Sequence, residues 1–160
     1  VIEVLLVDDS PPERVRLVKR FAGREGRYDL TVAEDFRDAV RLVTRAPMDV
    51  AIVDIAQRDC DGFELIRQMK TIRPSLRILV VSARLDASTV VRALAGGASG
   101  YLQKGAPEEH VLEAVDRVHA GERYLCPRSA ERVAQPDTGA GARFTRAGDG
   151  AYGPQGPRAP

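Results

Sequence analysis

The sequence predicts an α/β domain, a doubly wound sheet of five parallel strands with helices on both faces. Three observations predict it. Short apolar runs alternate with segments whose apolar residues recur at helical spacing. The runs are almost continuously apolar, as expected of strands covered on both sides. And the residues that close four of the runs, Asp8-Asp9, Asp54, Ser82 and Lys104, are polar and chemically matched. In an open parallel sheet the carboxyl ends of the strands form the ligand-binding edge.

The first strand is the apolar stretch Val1–Val7, broken by Glu3. Pro11-Pro12 marks a helix start, where a missing N–H costs nothing. From Glu13 to Ala22, Val15, Val18 and Ala22, with Leu17 and Phe21 alongside, form an apolar stripe. Tyr28–Ala33 reads as the second strand and Phe36–Arg45 as the second helix, stopped by Pro47. Val50–Val53 is a short buried strand, and Gly62–Thr71 a helix ending before Pro74. Ile78–Val81 is the fourth strand, followed by a helix over Asp86–Leu94 that Gly96-Gly97 ends. Ser99–Gln103 is the fifth strand and Pro107–His119 the fifth helix, with Gly121 as its stop.

This places a domain boundary near residue 125, a linker or short helix over 126–135, and a Gly-, Pro-, Ala- and Arg-rich tail over 136–160. The tail lacks apolar periodicity, so it cannot bury enough surface to offset its chain entropy and is expected to be disordered. Hydrophobic residues make up 44% and charged residues 29% of the 160, with a formal net charge of +1. That balance singles out neither nucleic acid nor membrane as a partner. Cys60 and Cys126 have no metal-ligand spacing, and the expected compartment is the reducing cytoplasm. No apolar stretch approaches membrane-spanning length.

The matched residues carry the chemistry. Adjacent carboxylates such as Asp8 and Asp9 repel each other and favour a hard cation; Mg²⁺ suits them because it takes oxygen ligands and keeps exchangeable waters. A nucleotide- or flavin-binding domain would place a Gly-rich anion loop here, whereas this loop is acidic and proline-stiffened. Asp54, at the mouth of a buried strand, suits a nucleophile that accepts a phosphoryl group. Lys104 and the Ser82 hydroxyl can each donate to a phosphoryl oxygen. Singly, each of these residues is commonplace, the aspartates as helix caps and the others as solvated surface groups. Their fixed order at successive strand ends is the signal.

With those residues in place, Ile2 to about Leu125 resembles the receiver domain of a bacterial two-component response regulator. The resemblance implies a flavodoxin-like fold with strand order 2-1-3-4-5. It implies that Asp54 is the phosphoacceptor, that Asp8, Asp9 and the backbone carbonyl of Ala56 join Asp54 in holding Mg²⁺, and that Lys104 is the pocket lysine. Ser82 would be the switch hydroxyl and Tyr101 the switch aromatic, turning inward as Ser82 moves toward the phosphoryl group. The stretch Gly97–Lys104, with Ala120–Leu125 after the last helix, is similar to the NarL/LuxR-type branch, whose members usually carry a DNA-binding helix-turn-helix. The implied partners are a sensor histidine kinase and, on a face the sequence does not select, a second copy. DNA is a partner only if the full-length product has an intact helix-turn-helix. The domain would be no enzyme beyond turnover of its own phosphoryl group.

Two departures from that family stand out. Gln57 and Arg58 occupy positions where it usually has Met-Pro, although Asp61-Gly62 keep their places. With Ala56 small, Arg84 is expected to fold over the acyl phosphate and shield it from water. Second, the segment after Leu125 is too short for an output domain, which needs on the order of sixty residues. Arg143-Phe144-Thr145-Arg146 resembles the start of a LuxR-type helix-turn-helix, so the tail reads as a truncated or out-of-frame output domain, with a natural single-domain regulator as the other reading. The alternative function is a phosphorylation-independent pseudo-receiver that serves as an interaction module. His110 and His119 read as plain surface histidines.

Overall fold

A computed structural model describes residues 1–57 and 61–134. The expected alternation runs through β1 (Ile2–Val7), α1 (Pro11–Phe21), β2 (Tyr28–Ala33), α2 (Phe36–Arg45), β3 (Val50–Asp54), α3 (Gly62–Ile72), β4 (Arg77–Ser82), α4 (Ala87–Ala95), β5 (Gly100–Gln103) and α5 (Glu108–His119). Two further elements follow, β6 (Tyr124–Leu125) and α6 (Pro127–Ala134). The expected disordered tail, with the resemblance at 143–146, lies outside the described residues.

All strand pairs are parallel, in the order β2-β1-β3-β4-β5-β6. The sequence reading of five strands is therefore corrected to six among the described residues. β6 is only two residues long, too short for any periodic pattern to register. It pairs with β5 through Gly100↔Tyr124 and Tyr101↔Leu125. Gly100 makes the approach feasible, since a Cβ there would lie 2.9 Å from the Tyr124 carbonyl oxygen and 3.0 Å from Leu79 Cδ1.

Side chains alternate across the sheet, so each strand feeds two cores. Leu5, Val7, Ala51, Val53, Ile78, Val80 and Tyr101 face α2, α3 and α4, meeting Val43, Leu65, Ile66, Met69 and Val90. Val4, Leu6, Val50, Ile52, Leu79, Val81 and Leu102 face α1 and α5, meeting Leu17, Phe21, Val111, Val115 and Val118. On α1 the buried stripe is narrower than the sequence suggested: Leu17 and Phe21 are buried, whereas Val15 and Val18 are exposed. A pair one turn apart suffices to cover this flank, and the remaining valines fall on the outer side.

Three helices are capped as their sequences dictate. Asp35 accepts from Asp38 N at 2.8 Å, Asp61 from Phe63 N at 2.9 Å and Asp86 from Thr89 N at 3.1 Å. The start of α3 sits hard against the end of β3. A Cβ on Gly62 would be 2.5 Å from Ile55 Cα, so only glycine allows this seat. Strand register then aligns the carboxyl ends: Val7 lies beside Val53, Asp54 beside Val81, and Ser82 beside Gln103.

Candidate phosphoacceptor pocket

Because β1, β3, β4 and β5 end at one edge, the residues that follow or close them converge. Asp54 is the last residue of β3 and is buried. Its Oδ1 accepts from the N–H of Ala56 at 2.9 Å, and its Oδ2 accepts from Lys104 Nζ at 2.6 Å. Lys104 follows β5, and its own N–H donates to the Ser82 carbonyl at 2.8 Å, which fixes where the side chain departs.

Asp8 follows β1 and its side chain is only 1% exposed. Oδ1 accepts from Ser10 N at 2.7 Å, while Oδ2 is buried with no hydrogen-bond donor and lies 3.9 Å from Lys104 Nζ. Burial raises the Asp8 pKa above the ordinary carboxylate range; the Ser10 N–H and Lys104 oppose this, and the charges of Asp54 and Asp9 reinforce it. For Lys104, burial works against the ammonium, but the hydrogen bond and charge of Asp54, with help from Asp8, leave its pKa raised. One ammonium thus serves two buried carboxylates, with Asp9 adjacent. Asp9 lines an open cleft of about 530 Å³ shared with Asp35, Phe36, Arg37, Gln57, Asp61 and Glu64.

Ser82 and Tyr101 are both fully buried. Ser82 Oγ accepts from the Arg84 N–H at 3.1 Å, and the Tyr101 hydroxyl donates to the Arg84 carbonyl. In this structure the ring of Tyr101 lies in the core while Ser82 is engaged by the Arg84 N–H. Burial raises the Tyr101 pKa. With Asp54 unmodified, the Arg84 side chain is directed to Asp86 rather than over the pocket. It is 65% exposed, with Nε 3.5 Å from Asp86 Oδ1 at the start of α4. Asp86 is a strong attractor: the Thr89 and Ser88 hydroxyls hold its pKa down to about 2.

Two participants escaped the sequence reading, and a third, Gln57, was noted there only as a departure from the family. Gln57 donates through Nε2 to the Val7 carbonyl at 3.3 Å, tying the loop after β3 to the end of β1. Arg14 donates to the Asp8 carbonyl at 3.3 Å. Arg92 of α4 stacks over the Phe63 ring at 4.0 Å and approaches Asp61 Oδ2 at 3.7 Å. Gln57 and Arg92 join elements distant in sequence, whereas Arg14 acts within the loop it shares with Asp8. Arg58 lies outside the described residues, as does Cys60. His119 is exposed and His110 half-buried, and neither belongs to the pocket.

A parallel sheet whose carboxyl edge carries a buried Asp paired with a half-buried Lys, a second buried carboxylate and a buried hydroxyl defines a receiver-type signalling domain. Comparison with known proteins agrees. The family described as response regulator receiver domain matches residues 4–116. Response regulator GacA of Pseudomonas aeruginosa is 30% identical over 134 residues, 84% of this chain and 63% of GacA. Transcriptional activator protein ExaE of Pseudomonas putida is 36% identical over 146 residues, 89% of this chain and 67% of ExaE. The crystal structure of a LuxR-family two-component response regulator from an Aurantimonas species superposes with a TM-score of 0.76 at 27% identity, covering 82% of this chain and 94% of that one.

The chain belongs to the response regulator receiver domain family of two-component systems, in its NarL/LuxR branch, and is related to transcriptional regulators. It spans about two thirds or less of the curated relatives it matches, 63% in the case of GacA.

Proposed function

We propose that the chain accepts a phosphoryl group on Asp54 from the phosphohistidine of a sensor kinase, and that the modified domain controls a transcriptional output. The observation that carries this reading is the placement of Asp54, buried at the sheet edge, with Oδ2 2.6 Å from Lys104 Nζ and Oδ1 held by the Ala56 N–H. An Asp54 carboxylate oxygen attacks phosphorus; the new O–P bond forms as the histidine N–P bond breaks, and the imidazole leaves with the electron pair. The ammonium of Lys104 moves from carboxylate to phosphoryl oxygen, and the Ser82 hydroxyl turns from the Arg84 N–H to donate to another.

The residues fit a hard cation. Among the described residues no three His, Cys, Asp or Glu side chains are gathered closely enough to form a finished metal centre. The buried, donor-less Oδ2 of Asp8 is nonetheless an oxygen ligand in waiting, and the two buried carboxylates exceed the one ammonium. Asp8, Asp9, Asp54 and the Ala56 carbonyl would hold Mg²⁺. When bound, Mg²⁺ would neutralise phosphoryl oxygens during transfer.

In this reading the domain acts on no external substrate and is not an enzyme in the ordinary sense. The cytoplasm is its place, supported by the two-component family and by the absence of any helix long and apolar enough to cross a membrane among the described residues. DNA binding would reside in the part of the full-length relatives that this chain does not span, and a homodimer remains a property of the family rather than of a contact seen here.

Intact mass after incubation with acetyl phosphate and Mg²⁺ tests the reading. Wild type is expected to gain one phosphoryl group and Asp54→Asn none. A folded wild type that gains nothing overturns it in favour of a phosphorylation-independent interaction module.

A further inference from the structure

β6 and α6 turn the end of the domain back onto its own face. β6 is hydrogen-bonded along β5 on both sides of Gly100: Tyr124 N donates to the Ser99 carbonyl at 3.2 Å and Cys126 N to the Tyr101 carbonyl at 3.1 Å. α6 then packs on α4 and β5. Its attachments are few. Arg128 Nη1 donates to Gln103 Oε1 at 3.2 Å, and Ser129 Oγ meets Cys126 Sγ at 2.9 Å beneath the helix. Of its eight residues only Ser129 is buried and Ala130 half-buried, while Val133 stays exposed. A short helix with so little apolar burial is marginal by itself and sits at the low-stability end of a domain.

Both anchors of this cover lead to the pocket. Gln103, which receives Arg128, directly precedes Lys104, whose ammonium is on Asp54. Tyr101, whose carbonyl receives Cys126, donates through its hydroxyl to the Arg84 carbonyl, and the Arg84 N–H is held by Ser82. A phosphoryl group on Asp54 would draw Lys104 and Ser82 to itself, shifting Gln103 and releasing the Arg84 loop together.

We propose that α6 is a displaceable cover over α4 and β5, anchored through Gln103–Arg128 and β6, and that phosphorylation of Asp54 releases it. The cover rests on the phosphorylation reading above. Access to the α4–β5 face is thereby gated by the state of Asp54, and by reciprocity any contact that holds α6 away favours the phosphorylated state.

Cys126 reports on the cover because its Sγ meets Ser129 of α6 and it is only 5% exposed, at the margin of the α5-side core that β6 and α6 close. In a Cys60→Ser background, labelling of Cys126 by a thiol reagent is measured with and without acetyl phosphate and Mg²⁺, with intact mass read on the same samples. Labelling is expected to quicken roughly tenfold in the phosphorylated protein, within the usual range of coupling between sites, and not at all in Asp54→Asn. Arg128→Ala, a surface change, is expected to quicken labelling without phosphate while the urea midpoint holds. A phosphorylated protein whose labelling is unchanged or slower overturns the cover and leaves the phosphoacceptor reading standing. Absence of any mass gain overturns that reading and the gating with it. Unchanged labelling in Arg128→Ala overturns the Gln103 anchor.

Discussion

The two flanks of the sheet are fastened by different means. On the α1/α5 flank, Phe21 meets Tyr28 edge-on with ring centroids 5.2 Å apart, and the Tyr28 hydroxyl donates to Asp116 Oδ1 at 2.8 Å. Arg27 pairs with Asp116 at 2.6 Å and Arg24 with Glu108 at 2.8 Å, while Arg20 donates to the Ala106 carbonyl. β2, α1 and α5 are thus cross-tied around an apolar core. On the other flank, buried Val90 and Ala93 seat α4 in the apolar core, but α6 meets the rest of the domain through little more than Arg128 on Gln103 and a two-residue strand. The lesson is a division of labour. The packed layers hold the fold, and the α6 edge is light enough to change with the pocket it adjoins.

The largest expected effect falls on the fastened flank. Phe21→Ala removes a buried ring and its contact with Tyr28, and is expected to cost about 3–5 kcal/mol of stability by urea unfolding. A loss under about 1 kcal/mol, within the range of surface changes, would break the comparison.

Gly100→Ala acts on the β5–β6 seam. Its Cβ would press on the Tyr124 carbonyl, Leu79 and Val118. A loss of about 1–3 kcal/mol is expected, together with faster thiol labelling of Cys126 as β6 lifts. An unchanged labelling rate would mean that β6 yields without freeing α6.

Asp8→Asn sharpens the electrostatic side. Because the folded-state pKa of Asp8 is raised, the folded protein holds that proton more tightly than the unfolded chain. Its contribution to stability is present below the ordinary value of 3.8 and lost as pH rises through the higher folded value. The variant is therefore expected to be more stable than wild type at neutral pH in the absence of Mg²⁺, and Mg²⁺ is expected to stabilise wild type but not the variant. Thermal midpoints with and without Mg²⁺ check both halves; a destabilised variant would show that the Ser10 N–H contact matters more than the buried charge.

The smallest effect belongs to Arg84→Ala. With its guanidinium directed at Asp86, the change removes an exposed pair of about 0–1 kcal/mol. Loss of the phosphoryl group, followed by intact mass over time, is expected to proceed within roughly a few-fold of wild type, the kinetic equivalent of that energy. A much faster decay would restore the shielding role read from the sequence.

Much of the site was legible because it rests on strand ends. The apolar runs fix where each strand stops, and parallel pairing brings the stops to one edge, so Asp8, Asp9, Asp54, Ser82 and Lys104 could be grouped without coordinates. The direction of Arg84 was not legible, because a flexible exposed side chain settles on whichever carboxylate is nearest in space. The two-residue β6 was equally hidden, since it is defined by its partner rather than by a pattern of its own.

By itself the sequence determined the alternation of strands and helices and the chemistry gathered at the sheet edge, and the capping aspartates Asp35, Asp61 and Asp86, though not read as caps from the sequence, are equally local. These follow from local periodicity and from short-range hydrogen bonds that a few consecutive residues can encode. The tertiary structure alone decided that Asp8 Oδ2 is left without a donor, that Tyr101 lies inside, that Gln57 reaches β1, and that α6 folds back over α4. Each depends on the distance between residues far apart in the chain, which is set only when the layers pack.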